Sequence, residues 1–226
     1  MKLKLIKNPK KRWAEHILKK VREEAVRRGW QVVGGGADAT IVIGGDGTFY
    51  YHKEEVEGQV FSIGSEHSWL GVPYKRWKDV FDSKKWKEYL VKGIDVYEGT
   101  KKVGWAINDV YLRARDTVVR IKVTCGANYS FIGDGIIVST PIGSTAYNFS
   151  CGGPLLDWGV NAFAITGIAP HLRAFLPVVY KGNVKISWEG KGDIFLDGQR
   201  KTIKKNSILL VEGRQLRMMR YAYKRD

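Results

Sequence analysis

The first part of the chain alternates between the hydrophobic period of a strand and that of a helix. Residues 2–6 alternate charged and apolar side chains, as a short strand does. Between Pro9 and Gly29 the apolar residues at 13, 17, 21 and 25 recur every four positions, which predicts a helix with one buried stripe. Further strands are predicted at 30–33, 40–43 and 60–63, and further helices at 49–57 and 84–91.

From about residue 94 onward the pattern becomes strand-like. Alternating or continuous apolar segments are separated by Gly, Asp, Asn and Lys turns, at 103–112, 118–123, 135–139, 162–168, 184–188, 193–196 and 208–211. We therefore predict two domains. Residues 1–94 form a small Rossmann-like α/β lobe, and residues 95–226 form a β-rich, β-sandwich-like domain. The last ~20 residues are expected to pack back on the first lobe.

The charge of the chain fits two classes of partner. The formal net charge is +15, from 38 Lys and Arg against 23 Asp and Glu. Nucleic acid favours any basic surface, and a small polyanion such as a nucleotide is attracted by the same field. The basic residues are spread along the chain, so we expect a generally basic surface and no nucleic-acid partner. A non-catalytic protein that binds nucleotides or nucleic acid remains an alternative, and Trp77, Trp86 and the basic tail 214–224 are its candidate contacts with nucleic acid.

Other bulk features point to a soluble intracellular protein. The longest apolar stretches are far too short for a bilayer span, and the N-terminus lacks the apolar core of a signal peptide. We therefore expect a cytoplasmic protein without a membrane partner. Two isolated cysteines and four histidines without ligand spacing predict reduced thiols and no protein-bound metal.

The loop Gly44-Gly45-Asp46-Gly47-Thr48 follows the apolar run 41–43 and is the first candidate site. Glycines let the backbone approach a phosphate and leave N–H groups to point at the anion. The carboxylate of Asp46 repels a polyphosphate unless it accepts a proton or holds a cation, so we interpret it as a candidate base. The alternative is an Asx-type turn that closes a strand.

Residues 133–154 form the second candidate site, because they are rich in glycines and small hydroxyl side chains. Such a segment suits the floor of a pocket better than a core. Ser144 and Thr145 can cap the next helix or donate to a ligand, and Tyr147 can lie against a flat ring. The alternative is a tight connection from a strand to a helix.

These two segments, the pair Asn108-Asp109 and the run 195–199 together resemble the NAD kinase family, in the same order and at comparable separations. The resemblance extends from about residue 37 to residue 199. It implies transfer of a phosphoryl group from ATP or polyphosphate to the 2′-hydroxyl of the adenosine ribose of NAD, giving NADP. It also implies Mg²⁺ carried by the donor phosphates and a homodimer or homotetramer.

The resemblance assigns roles to individual residues. Asp46 lies near the reacting hydroxyl, and its loop neighbours Gly44, Gly45, Gly47 and Thr48 are expected to face the donor phosphates. The residues expected to bind NAD are Asn108, Asp109, Asp134, Thr145, Ala146, Tyr147, Ser150 and Ala169. Among them Asp134 matches an acid that often contacts the ligand across a subunit boundary, and Ala169 falls on the nicotinamide side.

Two departures from the family pattern affect the expected site. Ile142 stands where the family usually has Thr or Ser, and residues 64–69 read Gly-Ser-Glu-His-Ser-Trp in place of a Gly-Ile-Asn-like segment. Diacylglycerol kinases, sphingosine kinases and phosphofructokinases carry glycine loops similar to residues 44–48. A lipid kinase is therefore a second alternative, although it would need an apolar entry that the sequence does not show.

Overall fold

The computed structural model describes residues 1–222 and divides them into two compact units. The first unit contains residues 1–90 and the described residues from Leu216 onward, and the second contains Val91–Gln215. The division falls within two long strands. The end of the predicted C-terminal segment and of the basic tail, residues 223–226, lies outside the described residues.

The first unit is a small parallel sheet with helices. Its elements in chain order are β1 (Lys2–Lys7), α1 (Arg12–Arg27), β2 (Gln31–Val32), β3 (Ala39–Ile43), α2 (Asp46–Tyr51), β4 (Gln59–Gly64) and β5 (Val72–Pro73). The strands pair in parallel in the order β2-β1-β3-β4, and β5 also pairs with β4. At the far end of the chain Arg217 and Met218 add a further parallel pairing, to Gln59 and Val60 of β4.

Burial explains why these segments form an α/β unit. Every residue of β3 is buried, as expected for a central parallel strand covered on both faces. Helix α1 buries Ala14, Ile17, Val21 and Ala25, which is one stripe at helical spacing. These side chains share one core with apolar residues of β1, β3 and β4. Across residues 1–222 no helix has the length and apolar character needed to cross a bilayer.

The predicted helix at 84–91 is wrong. A 3-10 helix covers Tyr74–Phe81, a short 3-10 turn covers Ser83–Lys85, and strand β6 then runs over Trp86–Glu98. The helix prediction relied on Trp86, Tyr89 and Leu90 sharing one side, but Leu90 is 60% exposed. From Val91 onward the buried positions follow a pattern close to the period of a strand, and that pattern continues the strand already begun at Trp86.

The predicted helix at 49–57 exists but is shifted. Helix α2 starts three residues earlier, at Asp46, and ends at Tyr51. An acidic residue in the first turn and acidic residues after the last turn both favour these limits, because a helix dipole stabilises negative charge only at its N-terminus. Glu54, Glu55 and Glu57 accordingly lie outside the helix.

The second unit consists almost entirely of strands. After the end of β6 come β7 (Lys101–Ala106), β8 (Asp109–Ala114), β9 (Val119–Cys125), β10 (Ala127–Gly133), β11 (Gly135–Ser139), α3 (Tyr147–Ser150), β12 (Phe163–Ile168), β13 (Val178–Tyr180), β14 (Val184–Glu189), β15 (Gly192–Leu196), β16 (Gln199–Lys201) and β17 (Ser207–Tyr221). Single 3-10 turns cover Gly143–Thr145 and His171–Arg173. The strand predicted at 103–112 is divided between β7 and β8, with a break at Ile107 and Asn108.

Two antiparallel sheets enclose the core of the second unit. One has the strand order β13-β12-β11-β8-β15-β16, and the other has β10-β9-β14 followed by the first half of β17. Strand β9 shows the alternation clearly, because Val119, Ile121, Val123 and Cys125 are buried and the residues between them are exposed. Their side chains share one core with those of β8, β11, β12 and β15. The predicted β-sandwich-like domain is thereby confirmed.

Candidate active site

In the first unit the candidate loop lies where three adjacent parallel strands end. Lys7 of β1 pairs with Ile43 of β3, and Ile43 pairs with Ile63 of β4. The segments that follow these strands therefore meet at one edge of the sheet, where ligands of open α/β sheets bind. The Gly-Asp-Gly-Thr loop occupies the middle position of the three.

Gly44 is required by the close approach of its neighbours. A Cβ at this position would lie 2.6 Å from Cβ of Asn8 and would also meet the side chain of Thr48. The Asn8 amide donates to Thr48 Oγ1 at 3.0 Å, and the Asn8 backbone N–H donates to Ile43 O at 2.8 Å. Asn8, in the segment after β1, therefore holds the side chain of Thr48 in place. Thr48 is one of the residues that the sequence analysis assigned to phosphate binding.

Two of the glycine amides are used inside the unit. The N–H groups of Gly44 and Gly45 both donate to the carbonyl oxygen of Ile63, at 2.9 and 3.2 Å. These two N–H groups therefore have an acceptor inside the protein, whereas the sequence analysis expected them to be free to point at a phosphate. The amides of Asp46 and Gly47 stand in the first turn of α2, where a helix has no internal acceptors for its N–H groups.

Lys11 is a site residue that sequence reasoning missed. Its ammonium group donates to Gly44 O at 2.7 Å and so places a positive charge on the loop. The available signal was topological: Lys11 follows β1 directly, and the ends of β1 and β3 are neighbours in a parallel α/β sheet. Lys11 thus supplies a basic side chain to a loop that has no Walker-type lysine.

The carboxylate of Asp46 is bound by the segment that follows β4. Oδ1 accepts from the hydroxyl of Ser68 and from the Leu70 N–H at 3.3 Å. Oδ2 accepts from the Trp69 N–H at 2.9 Å. Ser68 was not predicted as a site residue. It belongs to the segment 64–69 that departs from the family pattern.

A cavity of about 890 Å³ in the first unit borders the same segment. It is lined by aromatic and charged side chains, and Ser68 and Trp69 contribute to its wall: Glu66, His67, Ser68, Trp69, Lys87, Tyr89, Arg220, Tyr221 and Ala222. Exposed aromatic surface beside basic side chains suits a flat anionic group.

In the second unit the pair Asn108-Asp109 is held by Asp197. The Asp197 carboxylate accepts from three consecutive backbone amides, those of Ile107 at 3.0 Å, Asn108 at 2.7 Å and Asp109 at 3.2 Å. The Asn108 side chain then donates to Asp109 Oδ2 at 2.9 Å. In the sequence analysis the run 195–199 was only part of the family resemblance. The structure shows that Asp197 in this run supports the turn at residues 107–109 through these hydrogen bonds.

The pocket segment is attached to the same turn. Thr140 Oγ1 donates to Ile107 O at 2.5 Å, and the Thr140 N–H donates to Asn108 O at 2.9 Å. Gly143 packs against the Asn108 carbonyl so closely that a Cβ would not fit. The structure thus brings together two predicted elements, the Asn108-Asp109 pair and the start of the segment 140–150.

Tyr147 stands in an aromatic cluster beside Asp109. Its ring contacts Tyr111 edge-on at 5.1 Å, and Tyr111 stacks on Phe195 at 4.7 Å. Burial raises the pKa of Tyr147, and the nearby Cys151 and Asp109 raise the pKa of this phenol further. Burial and Asp109 also raise the pKa of Tyr111. Both phenols therefore stay protonated at neutral pH and retain an O–H donor.

The rest of the pocket segment divides into buried supports and more accessible residues. Thr145 is half-buried, and Ala146 and Ser150 are exposed. Ser144, predicted as a helix cap or ligand donor, is buried and donates to Pro141 O at 2.8 Å. Ile142 is 3% exposed, so the apolar replacement lies in the core.

Asn148 was missed and is the internal support of this segment. Its amide nitrogen donates to Ser144 O at 3.3 Å and to Pro154 O at 3.0 Å. Its oxygen accepts from Thr166 Oγ1 at 2.8 Å, which ties the segment to β12. No sequence pattern identifies such an asparagine, because its partners are set by tertiary packing.

Asp134 and Ala169 lie at the other end of β11. Gly135 at the start of β11 pairs with Ile168, whereas Ser139 at its end pairs with Asp109. These ends are roughly 13 Å apart at the usual rise of a strand. The Asp134 N–H donates to Ile168 O at 3.0 Å, and Ala169 follows with a positive φ of 44°. Within one chain, these two residues are therefore not next to the Asn108 and Tyr147 cluster.

Comparison with known sequences gives one consistent family. The model of the ATP-NAD kinase C-terminal domain matches residues 108–212. An NAD kinase of Clostridium botulinum (strain Alaska E43 / Type E3) is 35% identical over 200 residues, which are 77% of this chain and 69% of the relative. An NAD kinase of Picrophilus torridus is 34% identical over 189 residues, 76% of this chain and 69% of the relative.

Solved structures have the same fold. An NAD kinase from Archaeoglobus fulgidus, crystallised in complex with ATP, superposes with a TM-score of 0.78 at 19% identity, over 99% of this chain and 94% of that one. The yeast NADH kinase complexed with NADH gives a TM-score of 0.76 at 17% identity, over 97% and 83%. These likenesses confirm the predicted α/β lobe and β-sandwich-like domain.

Proposed function

The chain belongs to the NAD kinase family and is a kinase that acts on NAD, and we propose that it transfers the terminal phosphoryl group of ATP to the 2′-hydroxyl of the adenosine ribose, giving NADP. The observation that supports this reaction best is the position of Asp46. Its carboxylate stands in a glycine loop where three parallel strands end, and it is hydrogen-bonded by three groups of one segment. The ammonium group of Lys11 is bound to the same loop.

Asp46 is proposed to act late in the transfer. A ribose hydroxyl is a far weaker acid than a carboxylic acid, so a carboxylate cannot remove its proton in the ground state. In a loose phosphoryl-transfer transition state the attacking oxygen becomes acidic as its bond to phosphorus forms. Asp46 then orients the hydroxyl and accepts the proton, a contribution of ~10² to 10⁴ in rate for a typical general base.

The donor phosphates are proposed to lie on the loop side of Asp46. Lys11 uses one N–H on Gly44 O, and an ammonium group has three donors, so others can reach a phosphate oxygen. The amides of Asp46 and Gly47 add backbone donors. The basic and aromatic cavity beside Ser68 and Trp69 provides further positive charge close by.

The available carboxylates decide whether protein side chains or the donor phosphates would hold a Mg²⁺ ion. Among residues 1–222 no group of three His, Cys, Asp or Glu side chains is placed to hold a metal. Asp46 already accepts three hydrogen bonds from the protein. We therefore assign Mg²⁺ to the donor phosphates and water. When bound there, the ion neutralises charge on the transferred group.

The dinucleotide is proposed to bind along the second unit. Asn108, Asp109 and Tyr147 receive the adenosine end, with Thr145, Ala146 and Ser150 beside them. Asp134 and Ala169 lie at the far end of β11. We propose that Asp134 contacts the dinucleotide bound to a neighbouring subunit and that Ala169 lies beside the nicotinamide end of the dinucleotide. Contact with a ligand of a neighbouring subunit needs an oligomer, and we propose a homodimer or homotetramer as the working assembly.

A direct assay tests the function. The purified chain is incubated with NAD and Mg²⁺ and with either ATP or polyphosphate, and NADP is detected with an NADP-specific dehydrogenase. We expect NADP to form when ATP is the donor. Repeating the assay with NADH in place of NAD shows which oxidation state of the dinucleotide is the preferred substrate. Absence of NADP with both donors, together with phosphorylation of diacylglycerol, would replace this function by that of a lipid kinase.

A further inference from the structure

The contact between Ser68 and Asp46 has a consequence for the proposed reaction. We propose that Ser68 is a positioning residue: its hydroxyl holds Oδ1 of Asp46 and so directs Oδ2 toward the ribose hydroxyl. The inference rests on the proposed function of the same site. It concerns the segment 64–69, where this chain departs from the family pattern.

Ser68 is itself held rigidly. Its side chain is buried, with 8% of the residue exposed, and its backbone N–H donates to Ser65 O at 3.1 Å. It packs directly over Gly64, where an added Cβ would collide with the Ser68 side chain. Gly64 in turn ends β4 and pairs with Pro73 of β5. The position of the Ser68 hydroxyl is therefore fixed by packing against the end of a sheet strand, and not by a free loop.

The hydrogen bonds distinguish the two oxygens of Asp46. Each carboxylate oxygen can accept about two hydrogen bonds. Among the described residues, Oδ1 accepts two, from Ser68 and Leu70, and Oδ2 accepts one, from Trp69. Oδ2 thus retains an acceptor position for a substrate hydroxyl, and the Ser68 bond keeps the carboxylate from rotating to exchange the two oxygens.

The path of the ribose hydroxyl proton follows from this assignment. The ribose oxygen forms its bond to the γ-phosphorus while the bond from phosphorus to the β–γ bridging oxygen breaks, leaving ADP. The hydroxyl proton passes to Oδ2 of Asp46 and is later released to solvent. Ser68 donates its hydrogen bond throughout and transfers no proton.

The test is a double-mutant cycle on NADP formation from NAD and ATP. The variants are Ser68→Ala, Asp46→Asn and the two combined, with Ser65→Ala as a matched control that removes a hydroxyl from the same turn. We expect Ser68→Ala to lower kcat by roughly 10- to 100-fold, because a misplaced reacting group loses rate steeply, while the NAD dissociation constant stays unchanged. In the Asp46→Asn background the same change should cost less than about 3-fold, because Ser68 acts through the carboxylate. Ser65→Ala should stay within about 2-fold of the wild type.

Three results would overturn the Ser68 assignment. One is a kcat for Ser68→Ala equal to or above that of the wild type, which would mean that the contact is neutral or restrains Asp46. Another is an equal loss in both backgrounds, and the third is a loss confined to NAD affinity. A wild-type chain that forms no NADP would instead contradict the proposed function itself, and the role of Ser68 would fall with it.

Discussion

Asp197 shows at the residue scale how a strained position supports the site. Its φ of 48° lies in the left-handed region, which costs a non-glycine residue about 1–2 kcal/mol. In return its carboxylate binds the amides of Ile107, Asn108 and Asp109. Charge-assisted hydrogen bonds of this kind exceed that cost. The conformation of the Asn108-Asp109 turn therefore depends on a residue far along the chain.

Asp197→Asn tests this support. Asparagine tolerates the left-handed conformation but cannot accept from three amides as a carboxylate does. We expect the free energy of unfolding to fall by about 1–3 kcal/mol and the NAD dissociation constant to rise. Thermal unfolding and calorimetric titration measure the two effects. Asp193→Asn is the control, since Asp193 pairs with Arg115 and Arg200 instead of the turn, and it should leave NAD affinity unchanged.

Asn108 and Tyr147 are predicted to act in binding. Asn108→Ala and Tyr147→Ala should chiefly weaken NAD binding, because the first removes an amide beside Asp109 and the second removes an aromatic face. Tyr147→Phe keeps the ring and should retain most of the affinity. Calorimetric titration with NAD gives the comparison. Unchanged affinity in both alanine variants would exclude them from the adenosine pocket.

The sequence suggests roles for residues that lie in recognisable local patterns, and these roles stay predictions. Asp46 and the glycines around it form a recognisable loop, and Asn108 and Tyr147 lie in motifs of the family. The roles of Lys11, Ser68, Asp197 and Asn148 were not predicted, because each acts on backbone or side chains that are distant in sequence or fixed by packing. For Lys11 the order of parallel strands offered a signal, whereas for Asn148 there was none.

At the scale of elements, strands with clear alternation were predicted well and short helices were not. Strand β9 alternates buried and exposed residues along its whole length. The segment 84–91 has mixed periodicity, and its identity as a strand depends on pairing that the local sequence does not contain. The break between β7 and β8 has a similar origin, since Asp197 takes the amides that a continuous strand would place in the ladder.

A partly buried ionic cluster joins the elements that replaced the predicted helix. Asp79 in the 3-10 helix Tyr74–Phe81 accepts from Lys85 at 2.6 Å, Arg76 at 3.0 Å and the Tyr221 hydroxyl at 2.5 Å. Burial acts to raise the pKa of Asp79, but its hydrogen bonds with Lys85 and Tyr221 outweigh burial, and the pKa lies below its usual 3.8. The cluster therefore ties both 3-10 elements to the end of β17.

The pH dependence of this cluster follows from the lowered pKa. A carboxyl whose pKa is lower in the folded state stabilises the fold above its unfolded pKa, and this contribution disappears as the pH falls through the folded value. We expect Asp79→Asn to lower Tm at neutral pH and the difference from the wild type to shrink as the pH falls below 3.8. Thermal unfolding over this range measures it. Asp82→Asn, on a more exposed neighbour 3.7 Å from Lys85, should have a smaller effect. A Tm difference for Asp79→Asn that does not depend on pH would contradict this account.

At the scale of the whole molecule, alternating β and α segments predicted the first unit, and uninterrupted strand patterns predicted the second. Both fold classes are confirmed by the structural neighbours. The family assignment depended on several motifs in a fixed order, and not on the glycine loop alone, because other kinases carry similar loops. The order of the strands and their pairing could not be predicted from the sequence, because both are set by contacts between distant segments.

The net charge of +15 predicts a dependence on salt. NAD and ATP are anions, and a positive field speeds their encounter with the protein until counterions screen it. We expect kcat/KM for both substrates to fall as sodium chloride is raised, with kcat nearly constant. Steady-state kinetics across a salt series provide the measurement. A kcat/KM that is independent of salt would show that the basic surface serves another purpose.

The central claim is that Asp46 accepts the proton of the ribose hydroxyl, and Asp46→Asn tests it most directly. Turnover is measured by NADP formation and NAD affinity by calorimetric titration. The account predicts wild-type affinity for NAD and a loss of at least ~10² in turnover, as removal of a general base requires. Turnover close to that of the wild type would contradict it.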